Sequence, residues 1–70
     1  MSKERVYVNP PTECDICHGP FNGELYDAKT VYGPWANMCC GCFNTVGVGL
    51  GVGLGQMYRL KDGKYVKEAG

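Results

Sequence analysis

Seventy residues make one small domain, and Val, Leu, Ile and Phe together supply only about a fifth of them, at the edge of what can bury enough apolar surface to fold. A chain this short usually needs a staple: disulfides, a metal or a partner chain. Seven Lys and Arg balance seven Asp and Glu, giving a formal net charge of +0, which argues against a general nucleic-acid binder.

Residues 1–12 read as an N-terminal arm. Val6-Tyr7-Val8 has the composition of a short edge strand, and Asn9-Pro10-Pro11-Thr12 stops it, because consecutive prolines remove donors and fix the backbone. Residues 13–46 hold two cysteine clusters, Cys14-Asp15-Ile16-Cys17 and Cys39-Cys40-Gly41-Cys42, joined by a predicted hairpin over 24–38. Asn22-Gly23 favours a tight reversal before it. Leu25, Tyr26, Val31 and Tyr32 provide strand content, and Gly33-Pro34 supplies the turn. Phe43-Asn44-Thr45-Val46 is expected to form a single helical turn. Over residues 47–55, glycine alternates with Val48, Leu50, Val52 and Leu54. That period of two is a strand period, with glycines on one face and aliphatics on the other. Bare glycine backbone there would let Trp35, Tyr58 or Tyr65 pack closely. Residues 56–68 read as a C-terminal hairpin, with strands Gln56-Met57-Tyr58-Arg59-Leu60 and Tyr65-Val66-Lys67-Glu68 around an Asp62-Gly63 turn.

The cysteines set the chemistry. Their spacing is C-x2-C-x21-C-x2-C, the pattern of a four-thiolate zinc site. Two intervening residues turn the chain so that both sulfurs of a pair face one ion, and the spacer returns the second pair to complete a tetrahedron. Cys14, Cys17, Cys39 and Cys42 are the expected ligands of one structural Zn2+; iron in a rubredoxin-like site, or free thiols with a redox role, are the alternatives. Cys40 and His18 are alternative ligands. Cys40 with Cys42 would give the geometrically poorer C-x-C, so Cys40 is expected to stand aside. Cys14 to His18 spells C-x-x-C-H, the haem-attachment pattern, but the second cysteine pair explains the first better. A site closed by four protein thiolates leaves no position for a reactive water, and a single histidine supports no catalytic set, so no enzyme and no small-molecule substrate are expected. The glycine tract lacks the Lys and Ser/Thr of a phosphate loop.

Charge is unevenly placed. Glu13, Asp15, Glu24 and Asp27 stand without a basic residue over 13–27, whereas Arg59, Lys61, Lys64 and Lys67 face only Asp62 over 59–67. The basic hairpin, with Tyr58 and Tyr65 interleaved, is the candidate nucleic-acid surface. No apolar run suggests a signal peptide or a membrane span, so a cytoplasmic setting without membrane contact is expected. There, clustered cysteines more often bind metal than form disulfides.

Cys14-Asp15-Ile16-Cys17, Gly33-Pro34-Trp35-Ala36-Asn37-Met38-Cys39, and Gly47-Val48-Gly49-Leu50-Gly51 with Gly55-Gln56-Met57-Tyr58 resemble small uncharacterised proteins encoded by tailed bacteriophages, over residues from about 14 to 68. The resemblance implies a small metal-stabilised β-rich domain, zinc-ribbon or treble-clef-like, with two knuckles, a central hairpin and a C-terminal hairpin, made in an infected bacterial cytoplasm. His18 departs from it, where many such knuckles have Gly. The expected function is a protein-binding adaptor or regulator that docks onto a host or phage protein. The alternatives are a nucleic-acid-binding zinc ribbon and a homodimer pairing glycine-tract strands edge to edge.

Overall fold

The computed structural model describes Tyr7 and residues 10–70. Apart from Tyr7, the expected N-terminal strand over 6–8 lies outside the described residues. The chain runs β1 (Glu24–Lys29), β2 (Trp35–Met38), α1 (Cys40–Val46), β3 (Gly55–Lys61) and β4 (Lys64–Ala69). The strands form one antiparallel sheet in the order β2-β1-β3-β4.

Both expected hairpins form, and the residues that reverse the chain are those whose backbones tolerate positive φ. Asn22 and Gly23 take φ of 55° and 87° ahead of β1, and Asp62 and Gly63 take 50° and 79° between β3 and β4. Two positive φ values in succession match the right-handed twist of the flanking strands. The β1–β2 hairpin closes sooner than its composition suggests. Thr30 turns inward, its buried hydroxyl donating to the Pro34 carbonyl at 2.8 Å. Val31 and Tyr32 therefore sit in the turn, exposed, rather than in the strand. The hairpins are joined by β1–β3 pairing, with Leu25 opposite Tyr58 and Ala28 opposite Gly55.

The helix and the glycine tract also depart from expectation. The helical segment is seven residues, not one turn. Gly41, Asn44, Thr45 and Val46 are weak helix formers, so tertiary contact holds it: the Phe43 ring stacks on Tyr26 of β1 at 4.3 Å and 13°, and Val46 is buried. The glycine tract is not a strand. Gly49, Gly51 and Gly53 adopt φ of 146°, 130° and 80°, which side-chain-bearing residues rarely reach. The tract coils between α1 and β3, and strand begins only at Gly55. The aromatic ring against this glycine backbone belongs to Phe43, since a Cβ on Gly47 would run into it. Trp35 is instead exposed, Tyr58 packs edge-on to Tyr7 at 5.1 Å, and Tyr65 lies edge-on to Phe21 at 6.3 Å.

The core gathers Cys14, Phe21, Leu25, Ala28, Met38, Val46 and Tyr58. Alternation along β1 puts Tyr26 on the face covered by α1 and Leu25 on the opposite face, beside Tyr58. Gly55 marks the tightest passage in the sheet. A Cβ there would overlap that of Ala28 and come 2.9 Å from the Gly49 carbonyl oxygen. Gly55→Ala is accordingly expected to destabilise the protein by about 1–3 kcal/mol through overpacking, read as a lower denaturant midpoint with an unchanged m-value.

Candidate metal centre

The first cysteine pair lies in a turn ahead of the sheet. Cys14 N–H donates to the Gly19 carbonyl and His18 N–H to the Cys14 carbonyl, both at 2.9 Å, which folds residues 14–19 into a knuckle. His18 takes φ of 64°, the left-handed region that glycine enters freely. The histidine thus occupies the turn without replacing it. Its side chain is exposed and is not part of the sulfur cluster, with Nδ1 2.6 Å from Glu13 Oε2.

The second pair is not a second knuckle. Cys39 is the N-cap of α1 and Cys42 lies in its first turn. Three residues apart at a helix start, they share a face. β2 delivers Cys39 and α1 delivers Cys42. A reciprocal clasp holds the knuckle to β2: Asp15 N–H donates to the Asn37 carbonyl at 2.8 Å, and Asn37 N–H donates to Asp15 Oδ2 at 2.9 Å.

These elements bring four sulfurs together. The Sγ atoms of Cys14, Cys17, Cys39 and Cys42 all lie within 4.8 Å of one another, and Cys17 and Cys39 are 3.7 Å apart. Zn–S bonds of about 2.3 Å place tetrahedral sulfurs about 3.8 Å apart, so the arrangement accommodates one ion. Backbone amides already aim at the sulfurs. Ile16 and Cys39 N–H donate to Cys14 Sγ, and Gly19 N–H to Cys17 Sγ, each at 3.4 Å. Such donors favour thiolate over thiol.

The two most affected thiols move in opposite directions. Burial pushes Cys14 up, but the amides of Cys17, Cys39 and Ile16 outweigh it and bring the pKa down to about 6. Burial, followed by the neighbouring sulfurs, pushes Cys42 up to about 12. Four sulfurs this close oppose one another's ionisation; a divalent cation among them reverses that, since a coordinated thiol is deprotonated outright. The site is partly sheltered: Cys14 is fully buried, Cys39 and Cys42 are half-buried, and Cys17 is exposed.

The chain matches no protein-family model, no curated protein and no solved structure with which it was compared.

The two alternative ligands stand outside the sulfur cluster. Cys40 is exposed and accepts a 3.5 Å hydrogen bond from Asn44 Nδ2; Cys40→Ser is expected to leave the metal content of the purified protein unchanged, as measured by elemental analysis. The Asp15–Asn37 clasp is not legible in the sequence, because it joins residues 22 apart. Its only local signal is an Asp between the cysteines, a residue prone to accept backbone amides in turns. Asp15→Ala should weaken metal affinity about 10- to 100-fold, as loss of groups orienting ligands generally does, in competition against a chromophoric chelator.

The basic hairpin does not present its residues as one surface. Arg59 is bonded to Glu68 at 2.9 Å and to Glu24 at 3.2 Å, and Lys61 reaches Glu68 at 2.9 Å. Bonding to Arg59, then to Lys61, holds the Glu68 carboxyl below its usual range. Tyr58 is buried, and Tyr65 is half-buried against Phe21. Among the described residues Lys64 and Lys67 make no ion pair. The register sets Lys67 beside Tyr58, on the opposite face from Arg59. Among the described residues no helix is long and apolar enough to cross a membrane.

Proposed function

We propose that Cys14, Cys17, Cys39 and Cys42 hold one structural zinc ion, and that the chain is a zinc-scaffolded module that works by docking onto another protein. The observation carrying this reading is the set of four sulfurs mutually within 4.8 Å. Four thiolates fill a tetrahedron and leave no exchangeable position, which suits scaffolding and not hydrolysis. Zinc is preferred to iron because it is inert to redox change, which suits an ion with a purely structural role. Of the two fold readings, the order knuckle, hairpin, helix, with the second pair at the helix start, favours treble-clef-like over ribbon.

A protein partner is favoured over nucleic acid because Arg59 and Lys61 are already committed to Glu24 and Glu68, and Tyr58 is withdrawn from stacking. On the resemblance to tailed-bacteriophage proteins, the partner is a host or phage protein in the bacterial cytoplasm. Native mass spectrometry of untagged protein is expected to find one zinc per chain in a colourless sample; a visible thiolate-to-iron absorption band would overturn zinc. Oligonucleotide titrations are expected to show no binding. Affinity falling steeply with salt, with a slope reduced by Lys64→Ala and Lys67→Ala, would instead establish the nucleic-acid reading.

A further inference from the structure

The four clustered sulfurs are not equally placed. Cys14 is buried in the core, and its Sγ accepts the amides of Ile16 and Cys39. Cys39 and Cys42 are half-buried, whereas Cys17 is exposed. An oxidant arriving from solvent therefore meets Cys17 first, because oxidation of a sulfur follows its exposure and thiolate character. Zinc itself is inert to redox change, so any redox response of such a centre resides in its sulfurs.

Cys17 also has a reaction partner at hand. Its Sγ lies 3.7 Å from that of Cys39. The clasp between knuckle and β2 sets this approach: Asp15 and Asn37, each two residues before one of these cysteines, exchange hydrogen bonds of 2.8 and 2.9 Å. The clasp uses no sulfur, so it holds the two backbones side by side while the sulfurs react. Cys40 is exposed too, but it stands outside the cluster of four, and its Sγ accepts the Asn44 amide at 3.5 Å.

We propose that the centre is an oxidant-sensitive switch, in which a peroxide joins Cys17 to Cys39 in a disulfide and the domain gives up its ion. The proposal rests on the reading of the four cysteines as a structural zinc site. The Cys17 thiolate attacks one peroxide oxygen; the O–O bond breaks, hydroxide leaves, and Cys17 carries a sulfenic acid. The Cys39 thiolate then attacks the Cys17 sulfur; the S–O bond breaks, a second hydroxide leaves, and the S–S bond forms. Two thiolates together lose two electrons, and one peroxide gains them to become two hydroxides.

The consequence follows from the ligand count. The thiolate is the form of cysteine that binds metal, and Cys14 and Cys42 alone do not fill a tetrahedron. Because metal binding and folding are coupled in such domains, loss of the ion takes the docking module with it. A thiol reductant returns both thiolates and lets the centre reload. In reducing compartments, disulfides of mesophilic proteins are characteristically transient and redox-sensing in this way.

Hydrogen peroxide added to the zinc-loaded full chain tests this, with a chromophoric chelator reporting released zinc and tandem mass spectrometry mapping disulfides. Zinc release should keep pace with a single disulfide between Cys17 and Cys39, and a thiol reductant with added zinc should reverse both. Cys40→Ser should change neither the rate nor the product. Cys17→His keeps a ligand but removes the oxidisable sulfur, and should slow peroxide-driven release at least about tenfold. Zinc retained after oxidation overturns the switch. So does release through a disulfide that omits Cys17 or Cys39, or release from Cys17→His at the wild-type rate. If Cys17→His does not fold, the wild-type disulfide map decides alone. Metal content before oxidation keeps the two proposals apart: a zinc-loaded chain that fails these tests refutes the switch alone, whereas a folded chain purified without zinc refutes the scaffold and the switch with it.

Discussion

Removing the metal with a strong chelator is expected to unfold this domain, with loss of its circular dichroism signal and recovery on adding zinc back. Cys14 is at once a proposed ligand and one of the most deeply buried core residues, together with Leu25 and Met38. The other three clustered sulfurs come from the knuckle, the end of β2 and the start of α1, so one ion among them would tie three segments. α1 has seven residues and no side-chain cap at Cys39, far below the length at which an isolated helix persists in water. Zinc binding to four thiolates contributes on the order of 10 kcal/mol at neutral pH, as much as the whole net stability of a typical domain. Acid should act like the chelator, because protons compete with the metal for sulfur and the holo form is lost as pH falls. A chelated protein that still melts cooperatively at the original temperature would show that the sheet stands without the ion.

The parts legible in the sequence were those governed by local chemistry. Cysteine spacing announces the four-sulfur cluster because two residues between thiols suffice to aim both sulfurs of a pair at one point. Asn22-Gly23 and Asp62-Gly63 announce reversals because few other dipeptides accept two positive φ values. What escaped was set by contacts distant in sequence. α1 is longer than its composition implies because the Phe43–Tyr26 stack that steadies it joins residues distant in sequence. The glycine tract departs from the strand expectation because a period of two describes a strand equally well as a coil whose alternate residues take positive φ. The joining of the hairpins through β1 and β3 depends on Gly55 passing close to Ala28, which no periodicity records. The pairing within the basic hairpin has a similar origin: Glu24, remote in sequence, meets Arg59 across the β1–β3 pairing.

Leu25→Ala is expected to cost about 2–5 kcal/mol in the metal-loaded protein, the usual penalty for emptying a filled core position. Leu25 is 0% exposed, stands opposite Tyr58 in the sheet and shares a cluster with Cys14 and Met38. For a domain of this size each kcal/mol lowers Tm by roughly 4–8 °C, so the shift should be roughly 8–40 °C. Leu60→Ala, on an exposed part of β3, should change stability by no more than about 0.5 kcal/mol. The substitution also probes how folding and metal binding are linked. If the apo chain is unfolded, the free energy of folding is part of the apparent binding free energy, and every 1.4 kcal/mol lost from the core must weaken apparent metal affinity about tenfold. Leu25→Ala would then bind zinc roughly 30- to 3,000-fold more weakly, although Leu25 contributes no ligand. If the apo chain is already folded, the same mutation lowers Tm and leaves affinity nearly unchanged. The ratio of affinity loss to stability loss, measured by chelator competition and thermal melts on the same variant, reports how much of the fold exists before the metal arrives.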